Sequence, residues 1–167
     1  MGISTHAKKE RAIYMSTFTK FAYHIIFSTK GRYPLIDPGL QENLYRYVGG
    51  IIRAKKGYLI EIGGIEDHVH ALASLSPTKP VSDVIRDIKA NASRWMNEQT
   101  RTCRFEWQKG YGAFTVSYSH IELVRKYIQN QKEHHKKQTF ENEYMGFLQL
   151  HDIPFEKQNL FEDEFHA

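Results

Sequence analysis

The chain has 167 residues, which suits one domain with a real hydrophobic core and is short for two. Its charge is divided: from Asp152 onward five acids face one lysine, leaving 22 basic and 14 acidic residues in positions 1–151, so a body near +8 carries a tail near −4. The single cysteine, Cys103, excludes an intrachain disulfide and a cysteine-based zinc finger, no apolar run approaches the roughly 20 residues that cross a bilayer, and the basic body favours a polyanionic partner in a reducing, cytoplasmic setting.

Residues 1–14 are polar and precede Met15, and they read as an unstructured leader or tag before a single domain over 15–150, with an acidic, peripheral tail over 151–167. Thr19 to Ser28 is rich in aromatic and β-branched residues and ends at Lys30-Gly31-Arg32, as a first strand would. Leu40, Leu44, Val48, Ile51 and Ile52 recur at helical spacing up to a stop at Lys55-Lys56-Gly57. Tyr58 to Ile62 predicts a second strand, Gly63-Gly64 a tight turn, and His68 to Leu75 a third strand. Beyond Pro80 an apolar stripe from Val81 to Met96 predicts a helix reaching about Gln99. Ala113 to Tyr118 alternates as a fourth strand, and Ser119 to about Lys137 reads as one long helix, followed by a short one over Glu141 to Leu150. The order β-α-β-β-α-β-α predicts an α+β, ferredoxin-like (RRM-like) antiparallel sheet with two helices on one face and the late helix on or near the other.

On a strand, alternate side chains share a face, so His68 and His70 aim two imidazoles at one point while Val69, Ala71, Ala73 and Leu75 point the other way. Tyr127 and Gln131, four apart with helical character, likewise share a face. Brought together, strand and helix supply a metal pair, a third oxygen ligand and a nucleophile. Two imidazoles and an amide oxygen form a neutral set with vacant positions, suited to Mg²⁺ or Mn²⁺ with phosphate oxygens and less apt for zinc. Each residue also has a plainer reading: hydrogen-bonded core histidines, a packing tyrosine, a surface glutamine. His134 and His135 offer a replacement ligand or a DNA contact, against a solvated basic helix end.

Read in order, Asp67-His68-Val69-His70, the stretch Trp107 to Ser117, and Tyr127-Ile128-Gln129-Asn130-Gln131 with Glu133-His134-His135 resemble a single-tyrosine HUH transposase of the insertion-sequence-200 type, including its REP-associated relatives. The resemblance runs from about Phe18 to about Phe161, taking in the late Glu143-Tyr144. It implies that His68 and His70 hold the metal, Gln131 is the third ligand and Tyr127 the nucleophile. It further implies attack on single-stranded DNA at hairpin-marked ends, a 5′-phosphotyrosine link, a free 3′-OH, and a homodimer whose tyrosine helix completes the partner's site. Lys30, Arg32, Arg86, Lys89, Lys109 and Tyr111 are the candidate DNA contacts. The alternatives are a domesticated REP-associated enzyme or another HUH nickase, a non-catalytic RRM-like nucleic-acid-binding domain, and a small zinc hydrolase.

Overall fold

The computed structural model describes residues 19–100 and 103–161; the expected leader over 1–14 and the last residues of the tail lie outside these. Four strands form one antiparallel sheet: β1 (Ala22–Ser28), β2 (Tyr58–Ile65), β3 (His68–Ser74) and β4 (Gly112–Thr115) in the spatial order β2-β3-β1-β4, the ferredoxin-like order. The helices are α1 (Pro38–Ala54), α2 (Val81–Gln99), α3 (Ile121–Gln129), α4 (Gln131–His134) and α5 (Phe140–Leu150). No helix among the described residues is long and apolar enough to cross a membrane.

Strand parity sorts the two faces. Ile25 and Phe27 of β1 and Val69, Ala71 and Ala73 of β3 meet Leu44, Val48 and Ile52 of α1 and Val84, Ile85 and Ile88 of α2 in the main core. Each fully buried aliphatic side chain there contributes about 1.5–3 kcal/mol. The alternate residues His24, Ile26 and Ser28 of β1 and His68 and His70 of β3 share the opposite face, where Ile26 packs with Phe114, Phe140 and Leu148. The tail continues this second cluster: Phe155, Leu160 and Phe161 pack against it.

The sheet departs from expectation at Gly63-Gly64. β2 runs through both glycines to Ile65, and the turn falls at Glu66-Asp67. Gly63 serves close approach: a Cβ there would stand 2.6 Å from the carbonyl oxygen of Ile128, so the bare backbone lets α3 settle on the sheet beside His70, the cross-strand partner of Gly63. Glu61 holds α3 in place by accepting from Arg125 at 3.2 Å and Gln129 at 2.6 Å.

The expected single helix from Ser119 to Lys137 is divided. Tyr118–His120 forms a 3-10 turn, and the backbone leaves helical geometry at Asn130 (φ −96°, ψ 14°). The amide side chain of Asn130 donates to the Lys126 carbonyl at 2.9 Å, a local bond that competes with helix continuation. α4 then restarts on a new course with Gln131 buried inward. α5 begins at Thr139, whose hydroxyl accepts from the Asn142 amide at 3.3 Å, and this start turns the chain back over the histidine face.

Candidate active site

β3 delivers His68 and His70 fully buried, side by side, with ring centroids 5.0 Å apart. Each ring is oriented from behind. His68 Nδ1 lies 2.5 Å from Asp67 Oδ1, so it donates to that carboxylate and turns Nε2 inward. His70 Nδ1 lies 2.9 Å from His24 Nε2, and His70 Nε2 faces the same interior. His135, just past α4, lies with Nδ1 2.9 Å from the Gln138 carbonyl, which can only accept, so its Nε2 also points inward.

What these ring nitrogens face is oxygen. Gln131 Oε1 stands 3.2 Å from His68 Nε2 and 3.0 Å from His135 Nε2. The amide orientation of Gln131 is set by its Nε2, which donates to Glu143 Oε1 at 3.1 Å. Glu143, carried by α5, places Oε2 3.3 Å from His70 Nε2, 3.2 Å from His135 Nε2 and 3.9 Å from His68 Nε2. Glu143 Oε2 and His70 Nε2 are both buried with no aligned hydrogen-bond partner. Lone pairs converging on oxygens, with two buried atoms unsatisfied, is the arrangement a cation resolves. One donor atom from each of His68, His70, His135 and Glu143 lies within 4.8 Å of every other. The residues therefore fit a divalent metal, and the set is anionic through Glu143, in contrast to the neutral set expected from two histidines and a glutamine.

Tyr127 meets this cluster from α3. Its hydroxyl donates to Glu143 Oε1 and lies 3.3 Å from His134 Nε2. Burial, with the Glu143 carboxylate second, pushes the phenol above its ordinary range. Burial would raise Glu143 too, but the nearby imidazoles of His135 and His70 and the bond from Tyr127 outweigh it and hold the carboxyl well below the usual range. His70 is lowered to about 4 by burial, against the pull of Glu143. At His135 burial acts downward, and Glu143 reverses it to a net rise.

The structure thus brings Tyr127, His68, His70 and Gln131 to one point within a single chain. Glu143, Asp67 and His24 join them without having been read as site residues from composition or spacing, and His135 rises from a secondary candidate to the centre. His24 carried a usable signal, since it shares strand parity with Ile26 and faces the side opposite Ile25 and Phe27.

The basic candidates are more scattered. Lys89 donates to the carbonyls of Gln108, Lys109 and Gly110, so its half-buried amine holds the loop before β4. Lys30 pairs with Glu106 at 2.9 Å, and Arg86 pairs with Asp83 at 2.8 Å. Arg32 pairs with Glu141 at 2.8 Å beside the cluster, and Tyr111 is partly exposed ahead of β4.

Comparisons with known proteins bear on the fold and the family. The curated ISDra2 transposase TnpA of Deinococcus radiodurans is 24% identical over 117 residues, covering 66% of this chain and 84% of that protein. A crystal structure described as a transposase candidate from Deinococcus radiodurans R1 aligns at a TM-score of 0.56 with 24% identity, over 75% of this chain and 98% of the other. A REP-associated tyrosine transposase bound to a REP hairpin aligns at 0.56 with 14% identity, over 73% of each chain. These two show a common fold. The family model described as "Transposase IS200 like" matches residues 17–131, more than half of the sequence, and the chain belongs to that family.

Proposed function

We propose that this transposase cleaves and rejoins single-stranded DNA at hairpin-marked ends, with Tyr127 as nucleophile and a 5′-phosphotyrosine intermediate. One observation carries the reading: the Tyr127 hydroxyl and the inward nitrogens of His68 and His70 converge on the two oxygens of a single carboxylate, Glu143. A phenol and a cation-binding histidine pair brought to one point is an arrangement that can hold a nucleophile beside a metal-neutralised phosphate.

A divalent ion held by His68 and His70, with Gln131, His135 and Glu143 as the remaining oxygen and nitrogen donors, supplies charge neutralisation at the phosphate. Among Mg²⁺ and Mn²⁺, a donor set rich in imidazole favours Mn²⁺. The chain's own residues do the rest. Asp67 and His24 lock the two ring orientations. Tyr127 is protonated at rest, and Glu143 Oε1 is the acceptor already bonded to its hydroxyl.

The phenol reaches its own chain's cluster, so this reading needs no tyrosine from a partner, whatever assembly the protein forms. A non-catalytic RRM-like platform is disfavoured by the same geometry, since that module needs an open sheet face and here α3, α4 and α5 cover the histidine side. Domesticated and mobile versions of the enzyme share this chemistry, and the DNA flanking the gene separates them.

The test incubates the protein with end-labelled hairpin DNA and Mn²⁺. Wild type is expected to give a protein–DNA band that survives denaturant, and Tyr127→Phe and His68→Ala to give none. A band formed by Tyr127→Phe removes the nucleophile assignment. Cleavage that persists undiminished in a chelator removes the metal.

A further inference from the structure

A cleft of about 1,000 Å³ lies between the 3-10 turn Lys30–Arg32 and the connection from α4 to α5. Asp67 and His135 form part of its wall, so it abuts the histidine cluster. Tyr127 and His134 line a second cleft of about 560 Å³. Asp67 and His135 thus open on the larger cleft and Tyr127 on the smaller, and Lys137 and Gln138 belong to both, forming a shared ridge.

Tyr33 distinguishes the larger cleft. It lines the cleft yet is 67% exposed, the mark of an aromatic ring without a packing partner on one face. Its ring lies against Gly31: a Cβ at that position would stand 2.7 Å from Tyr33 Cε2, and the glycine adopts φ +63°, which L side chains rarely take. A ring supported on one side and open on the other is a stacking platform for a nucleobase. The charges beside it are partly committed, Glu141 to Arg32 and Lys136 to Glu133. Lys137, exposed on the ridge, faces both clefts.

We propose that this cleft is a nucleotide subsite: it takes one unpaired nucleotide, stacks its base on Tyr33 and sets the neighbouring phosphate against Lys137. The nucleotide is the one on the 5′ side of the cut. This polarity rests on the phosphotyrosine reading and follows from in-line displacement. The bond from Tyr127 Oη to phosphorus forms as the bond from phosphorus to O3′ breaks on the opposite side. The leaving O3′ therefore departs away from the Tyr127 cleft and toward the Tyr33 cleft. The phenol's proton passes to Glu143 and, through solvent, to O3′, so the products are a 5′-phosphotyrosine and a 3′-OH with atoms and charge conserved.

Binding is measured on the full chain carrying Tyr127→Phe, in a chelator, with fluorescein-labelled single-stranded oligodeoxynucleotides of mixed sequence. Adding Tyr33→Ala is expected to weaken binding about tenfold, while Tyr33→Phe, which keeps the ring, stays within about twofold. Lys137→Ala should weaken binding and lower the salt dependence by about one ion. Equal binding by the Tyr33→Ala protein, or an equal loss with Tyr33→Phe, overturns the stacking subsite. For polarity, oligonucleotides with 4-thiothymidine at a free 3′ end or at the 5′ end are irradiated on the protein. A crosslink to the 30–36 segment from the 3′-terminal probe is expected, and one from the 5′-terminal probe alone overturns the assignment. Neither binding nor crosslinking needs a covalent step. A protein that passes here and forms no adduct with hairpin DNA loses the phosphotyrosine reading and keeps the subsite.

Discussion

His24 Nε2 stands 2.9 Å from His70 Nδ1, and this contact decides which nitrogen of His70 faces the cluster of His68, His135 and Glu143. A ring that offers its Nε2 lone pair to a cation must carry its proton on Nδ1, and His24 is then the acceptor. Burial supports that role by lowering His24 to about 3, which leaves it neutral and able to accept. Partners behind a metal-binding histidine typically matter by 10–100-fold in affinity. Replacing His24 with Ala should thus weaken Mn²⁺ binding roughly tenfold or more, read by calorimetry on the free protein, without abolishing the fold. Unchanged affinity would remove His24 from the site.

Acid should destabilise the metal-free protein. His24 and His70 are held at about 3 and about 4, below the ordinary 6.5, so between pH 6.5 and about 4 the unfolded chain takes up protons that the folded chain refuses. Stability from these groups is fully present above pH 6.5 and falls as pH drops through that window. Glu143, also held low, adds a loss at more acid pH, while His135, held high, works in the opposite sense. Urea unfolding in a chelator should show a loss of about 2–4 kcal/mol between pH 7.5 and pH 5. Equal or greater stability at pH 5 would mean the two imidazoles are charged in the folded protein.

Gly63→Ala tests how α3 is seated. The added methyl would stand 2.6 Å from the Ile128 carbonyl oxygen, a backbone atom that moves only if the helix moves. Overpacking of this kind costs about 1–3 kcal/mol. The lower melting temperature should come with a loss of covalent DNA adduct larger than stability explains, because Tyr127 precedes Ile128. A variant with full stability and full adduct yield would show that α3 has room to spare.

Lys89 anchors the loop before β4 through three carbonyls. Burial lowers its amine to about 8, so it remains charged at neutral pH, where its three protons meet three acceptors. Lys89→Met should lower stability by about 1–2 kcal/mol while leaving the salt dependence of single-stranded DNA binding unchanged. A reduced salt slope at full stability would instead place this lysine on a phosphate.

Much of the architecture was legible in the chain because it depends on periodicity. The alternation through Val69, Ala71 and Ala73 puts His68 and His70 on the opposite face, and the helical recurrence from Leu40 to Ile52 defines α1. Gly63-Gly64 misled because glycine serves both tight turns and close approaches, and only the arrival of Ile128 decides between them. The break at Asn130 was hidden for a different reason: the apolar pattern stops at Ile128, the polar residues 129–139 carry no periodicity that would mark a helix end, and the side-chain bond at the interruption is local and polar.

By itself, the sequence determined the order of the strands and of the two long helices before β4, and the two faces of β3. These are short-range properties, set by the fixed geometry of a strand or one helical turn. The tertiary structure alone decided that Glu143 would stand between Tyr127 and the histidines, that His135 would turn inward, and that His24 would back His70. Those contacts join residues 46 positions apart in one case and bring α5 back over the sheet in another. No local rule encodes them, because they arise only when the apolar side chains of α5 find Ile26 and Phe114 and carry a carboxylate in with them.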